Sequence, residues 1–414
     1  MNNWLLRVKS PLAAACLAVL VVVSAGAAEK EKKETLTEAV AKQLKPAQDA
    51  IAKGDFDAGV TLAKGGLAAA KSNYDKETSL RMLTYAAAKK QDFTLYAEYT
   101  EQLLEVVPAM PDDERIRDYK ALGQINAQNK VYDKALVWIQ KWADATKSAD
   151  AYTLGSQIFL IQQDYAGAIP WLEKVVAASP EPKEETLKLL NVSYYRTNEK
   201  VKRQATMETL VAKFPRREYL VDLMGVYEAD ADPRAMLNLY RLLFDRNEMT
   251  RESEYVNYAD SALDAGGPAE ALRALEQGQK RDVIKFIAAT DRNSKMLALA
   301  KTQTAEDKKM LPGLDKEARA GKNGEADVKV GLAYLGFGDF DKAIEAIERG
   351  LGDERVAKVK RVDDAYMTLG IAYLHAGKQD KAIAAFQKAK ADKRMDRAAN
   401  TWLIAMPTLD APAG

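Results

Sequence analysis

Large and small apolar residues recur along most of the chain at helical spacings, while runs of Val, Ile and Thr at period two are almost absent. That pattern predicts helices throughout, because residues three and four apart share one helical face whereas a strand would alternate its faces at every residue. One phrase recurs. GDFDKAIEAIERGL occupies residues 338–351 and GKQDKAIAAFQKAK residues 377–390, with earlier echoes in GDFDAGVTLAKGGL from Gly54 and KVYDKALVWIQKWA from Lys130. Upstream of the two C-terminal copies stand Gly331 and Tyr334, and Gly370 and Tyr373.

This spacing predicts pairs of antiparallel helices. Gly331 or Gly370 on the first helix, with Ala343 or Ala382 on the second, lets two backbones approach closely, and Tyr334, Ile347, Tyr373 and Phe386 fill the space that remains. Gly338 and Gly377 suit a left-handed residue ending the first helix, and Asp339 or Asp380 can help to start the second. The residues at the second-helix small position are Gly59, Tyr96, Ala135, Ala168, Ala271, Ala343 and Ala382, separated by 37, 39, 33, 103, 72 and 39. The intervals of 103 and 72 leave room for degenerate units. Two are expected over LLNVSYYRTNEKVKRQATMETLVAKFP and LVDLMGVYEADADPRAMLNLYRLL, and an irregular helical pair over 285–325, where the motif residues are missing.

These offsets resemble the tetratricopeptide repeat, whose period is about 34 residues. The resemblance implies an all-α fold, a right-handed α-solenoid of stacked helical hairpins. Repeats are expected over 41–284 and 326–403, after a charged linker or helix start at 28–40 and before a flexible tail at 404–414. The resemblance also implies that the first helices line a concave groove. It places there Lys120, Gln124 and Gln128, then Asp150, Thr153, Gln157 and Leu160, then Ser253, Asp260 and Asp264, and finally His375. Such a groove suits hydrogen bonding to an extended segment or a helix of a protein partner. Some members of the family grip a C-terminal carboxylate with paired Lys and Asn; here Lys120 is followed by Gln124 and Gln128, so that mode is not expected.

Composition narrows the function. Of 414 residues 47% are hydrophobic, 8% aromatic and 29% charged, and 61 Lys and Arg stand against 60 Asp and Glu. Near-zero net charge provides no field for nucleic acid, which is not expected as a partner. The first 27 residues read as a secretory signal, with Arg7 and Lys9, an apolar stretch from Leu12 to Val23, and Ala25-Gly26-Ala27 ahead of the cut. The alternative is an uncleaved inner-membrane anchor facing the periplasm. Cys16 lies inside the apolar stretch rather than at its end, which argues against lipidation, and a mature chain would hold no cysteine.

With His375 the single histidine and no mature cysteine, neither a catalytic site nor a metal or other cofactor is expected. The pairs Asp112-Asp113, Asp363-Asp364 and Asp230 with Asp232 read as helix caps or solvated turns. The expected role is a protein-interaction scaffold in the bacterial cell envelope, its form loosely resembling periplasmic repeat proteins of TonB-type systems. The alternative is a scaffold for binding or exporting polysaccharide, which would need exposed aromatics such as Tyr85, Tyr152, Trp171 and Tyr194.

Overall fold

The computed structural model describes residues 34–228, 231–286 and 288–406. The expected signal at 1–27, and most of the tail at 404–414, therefore lie outside the described residues. The chain forms two compact units, Met1–Thr197 and Asn198–Gly414. The described residues form twenty α-helices and contain no strand.

Unit 1 begins with α1 (Glu38–Ala52) and α2 (Phe56–Ala69), followed by α3 (Asn73–Lys90) and α4 (Phe93–Val106). Then come α5 (Asp112–Gln128), α6 (Tyr132–Thr146), α7 (Ala149–Ile161), α8 (Tyr165–Ala177) and α9 (Glu184–Arg196). α1 packs on α2, α3 on α4, α5 on α6 and α7 on α8, and successive hairpins stack through α2 on α3, α4 on α5 and α6 on α7, with α9 packed on α8. Every hairpin turns through a single left-handed residue: Gly54, Gln91, Lys130 and Gln163, with φ of 83°, 60°, 61° and 58°. The next N–H then reaches back to a carbonyl of the first helix, as Asp55 N does to Ala50 O and Asp164 N to Phe159 O, both at 2.9 Å. This bond satisfies a carbonyl that the helix end leaves open. Asp55, Asp92 and Asp164 next accept the backbone N–H three residues on, at 3.0, 3.0 and 2.8 Å, and start the second helix.

Unit 2 uses the same turn at Gly266, Gly338 and Gly377. Its first layer comprises α10 (Lys200–Lys213), α11 (Arg217–Tyr227), α12 (Pro233–Asp245), α13 (Glu252–Asp264) and α14 (Pro268–Lys280). After α15 (Arg292–Ala320), a second layer follows with α16 (Gly324–Phe337), α17 (Phe340–Gly350), α18 (Val362–His375), α19 (Gln379–Lys390) and a single closing helix, α20 (Asp396–Ala405). A side chain at Gly331 would overlap Ile347, and one at Gly370 would overlap Phe386, so the close approach of paired helices is confirmed.

The two layers of unit 2 face each other. α16 packs on α14, α18 on α12, and α20 on both α10 and α12. A simple stack would leave those faces open.

The irregular pair expected at 285–325 is a single 29-residue helix, α15. Pro312 lies inside it and removes one helical hydrogen bond. Pro312 is exposed, so water can take up the freed carbonyl and the helix runs on. The C-terminal end of α15 is also tied down. Asp315 accepts Arg319 at 3.1 Å and Arg349 at 3.0 Å, while fully buried Asp327 accepts Arg349 and Arg355, each at 2.7 Å.

Candidate partner-binding faces

In unit 1 the core takes Asp118, Ala121, Leu122, Gly123, Ile125 and Asn126 from α5. Lys120, Gln124 and Gln128, four residues apart, form a separate stripe. They precede the left-handed Lys130 by ten, six and two residues; Thr153 and Gln157 precede Gln163 on α7 by ten and six. The repeat thus places both sets in the same register on helices that touch each other.

Gln124 and Gln157 are half-buried and Gln128 is exposed. Among the described residues, no hydrogen bond of the chain engages any of the three side-chain amides. Lys120 Nζ sits 5.3 Å from the centre of the Trp142 ring, so its stem is held while its charge has no carboxylate partner. Thr153 spends its hydroxyl proton on Ala149 O at 2.7 Å and can only accept from a ligand. Exposed Asp150 lies in the first turn of α7, where Ser148 Oγ accepts its backbone N–H at 3.2 Å. The result is a strip of amides flanked by one cation and one anion.

Three residues of unit 1 escaped the sequence reading. Ile161 at the end of α7, four residues after Gln157, and Val192 and Tyr195 on α9 are 46%, 43% and 61% exposed. Ile161 stands two residues before Gln163, a register that could have found it.

Beneath the strip, Asp118 is 3% exposed, and burial pushes its carboxyl up to about 6 against the partial pull of Arg117 3.7 Å away.

In unit 2 the expected groove residues are mostly committed to the chain itself. Asp260 pairs with Arg292 of α15 at 3.3 Å, although Asp264 is exposed. His375 Nε2 lies 2.9 Å from Asp245 Oδ2 on α12, and its ring stacks on Phe340 at 4.6 Å and 9°. Burial pulls the pKa of this imidazole down, but the Asp245 carboxylate outweighs it and leaves the value raised. On the same stripe of α18, Met367 and Ile371 precede Gly377 by ten and six residues and are 0% and 3% exposed. They occupy the register that Lys120 and Gln124 hold in unit 1.

Aromatics offered for carbohydrate stacking do not line an open surface. Tyr152, Trp171 and Tyr194 are buried, Trp171 packing beside Tyr152 and Phe159, and Tyr85 is partly buried with Lys89 Nζ 5.5 Å from its ring centre. Their size is used to fill the space between hairpins. The acidic pairs have ordinary roles where they are described. Asp112 and Asp113 open α5, Asp232 accepts Arg234 N at 2.9 Å to start α12, and Asp363 accepts Arg361 at 3.0 Å. Asp230 lies outside the described residues. No three acidic, histidine or cysteine side chains cluster to hold a metal among the described residues, and no helix there is long and apolar enough to cross a membrane.

Residues 329–401, which span α16 to α20, match the tetratricopeptide repeat family. No curated protein matches the chain. Among solved structures, the chain is similar to the complex of Naa15 and Naa10 bound to HypK-THB, at 13% identity over 89% of this chain and 67% of that one, with a TM-score of 0.36. It is also similar to a tetratricopeptide repeat protein from Parabacteroides merdae, at 10% identity over 89% of this chain and 100% of that one, with a TM-score of 0.29.

Proposed function

We propose that this chain, which carries tetratricopeptide repeats, is a non-enzymatic scaffold that binds a segment of a protein partner along the α5 and α7 faces of unit 1. One observation carries the reading: Gln124, Gln128 and Gln157 present amides that no group of the chain engages among the described residues, beside the unpaired charge of Lys120. Amides can both donate and accept, so such a strip can follow the backbone of an extended peptide or the polar face of a helix. The exposed apolar side chains of Ile161, Val192 and Tyr195 would add burial to the same complex.

The cell envelope is the proposed setting, with residues 1–27 directing export and a TonB-type transport or envelope-assembly system as host. Support comes from the order of Arg7 and Lys9, the apolar Leu12 to Val23 stretch and the small residues up to Ala27, and from a mature chain without cysteine.

Photo-crosslinking in cells tests the partner face. A photoreactive residue at Gln124 or Gln157 is expected to capture the same protein, while one at exposed Val137 on α6 captures none. Equal capture from Val137, or adducts only between copies of this chain, would remove the assignment. N-terminal sequencing of the protein from a periplasmic fraction checks the export reading separately.

A further inference from the structure

The stripe that faces outward on α5 faces inward on α18. Four groups of the second layer hold α12 there. Arg361 grips Asp232 with two nitrogens at 3.0 and 3.2 Å. Asp364 accepts Asn238 Nδ2 at 3.0 Å and has Arg234 at 3.7 Å. His375 meets Asp245 at 2.9 Å, and Trp402 Nε1 of α20 donates to the backbone carbonyl of Asn238 at 2.8 Å. Met367 and Ile371 of α18 are buried on the same stripe as His375. On α12 the polar residues Arg234, Asn238 and Asp245 recur at intervals of four and seven, which is one helical face.

We propose that α12 acts as an internal ligand of the C-terminal repeats, occupying the face of α18 and α20 that would otherwise take a helix from a partner. The partner that fits is a helix with an arginine, an asparagine and an acid at the spacing of Arg234, Asn238 and Asp245, because Asp364 already reads the first two and His375 the third, while Trp402 holds only the backbone. In the closed state these repeats offer no open face there, and binding requires release of the second layer. The linking segment allows such movement. The middle of α15 is largely exposed from Lys301 to Met310, and Pro312 removes one of its backbone hydrogen bonds. This inference concerns unit 2 alone and does not depend on the partner face assigned to unit 1.

The test uses the full chain. Asn238→Ala and Asp245→Ala remove the α12 side chains that Asp364 and His375 hold, and leave Arg361, Asp364, His375 and Trp402 of the second layer in place. Hydrogen exchange in α12, α18 and α20 is expected to rise together by about tenfold in the double variant, as one cooperative opening, with α3 to α8 unchanged. A labelled peptide of residues 232–246 should bind the double variant and not the wild type. The same peptide with alanine at 238 and 245 should bind about tenfold more weakly.

Exchange that changes only beside the substitutions would overturn the proposal. So would a peptide that binds wild type as well as the variant, or one that fails to bind the opened protein.

Discussion

The stripes on α5 and α18 stand in the same register of the same hairpin and have opposite fates. On α5 the residues ten and six before the turn are Lys120 and Gln124, at least partly in solvent; on α18 they are Met367 and Ile371, no more than 3% exposed. Hairpin geometry is therefore common to both units, and the side chains at two positions decide whether the first-helix face remains a surface or becomes core. Burying Met and Ile is favourable by roughly 1.5–3 kcal/mol each, whereas Lys and Gln would leave unsatisfied polar groups in the same place.

The largest expected contrast is in stability. Arg241 and Glu270 form a two-bond pair at 2.7 and 2.8 Å, each 2% exposed, and Tyr258 also donates to Glu270 at 2.6 Å. Arg241→Ala strands that carboxylate and is expected to destabilise unit 2 by about 3–5 kcal/mol in urea unfolding. Lys120→Ala should change unit 1 by no more than about 0.5 kcal/mol. Comparable losses at both sites would break the comparison.

Next in size is a pH effect confined to unit 1. Asp118 has its pKa raised by burial to about 6, so the folded state binds its proton more tightly than the unfolded chain does. Its contribution is fully present below the ordinary aspartate value and is lost as pH rises through about 6. Asp118→Asn should therefore recover about 2 kcal/mol at pH 8, and it should flatten the fall in stability from pH 4 to pH 7. An unchanged pH profile would show that the carboxyl finds compensation elsewhere.

The turns sharpen the comparison at a smaller scale. Gln163 holds φ of 58° where Gly377 holds 70°. An L side chain in this conformation crowds the backbone, so Gln163→Gly is expected to stabilise unit 1 and Gly377→Ala to destabilise unit 2, each by about 1 kcal/mol. Thermal unfolding of the two variants checks the pair of signs.

These turns also explain how much of the fold was legible. Gly338 and Gly377 announce the hairpin because glycine is the residue most at ease there, and Asp339 marks the helix start that the structure shows. Gln91, Lys130 and Gln163 carry the same geometry without that signal, held by the bond that follows the turn, and their units are legible from the register of Tyr96, Ala135 and Ala168 instead. α15 was obscured by Pro312, which reads as a break unless its exposure is known. Closure of unit 2 depends on contacts between residues more than a hundred positions apart, such as Trp402 with Asn238, and no local pattern encodes them. A local hint did exist in Met367 and Ile371, apolar at positions where α5 and α7 carry Lys, Thr and Gln.

The central claim is that equivalent faces are open in unit 1 and covered in unit 2, and native-state thiol labelling tests it most directly. With Cys16 replaced by serine, a single cysteine is placed at Gln124 or at Ile371 in the folded chain and its rate of reaction with a maleimide is measured. Gln124→Cys is expected to react at nearly the rate of a free thiol, and Ile371→Cys about a hundredfold more slowly, because its modification must wait for opening of the α12 and α18 contact. Equal rates at the two positions would contradict the account.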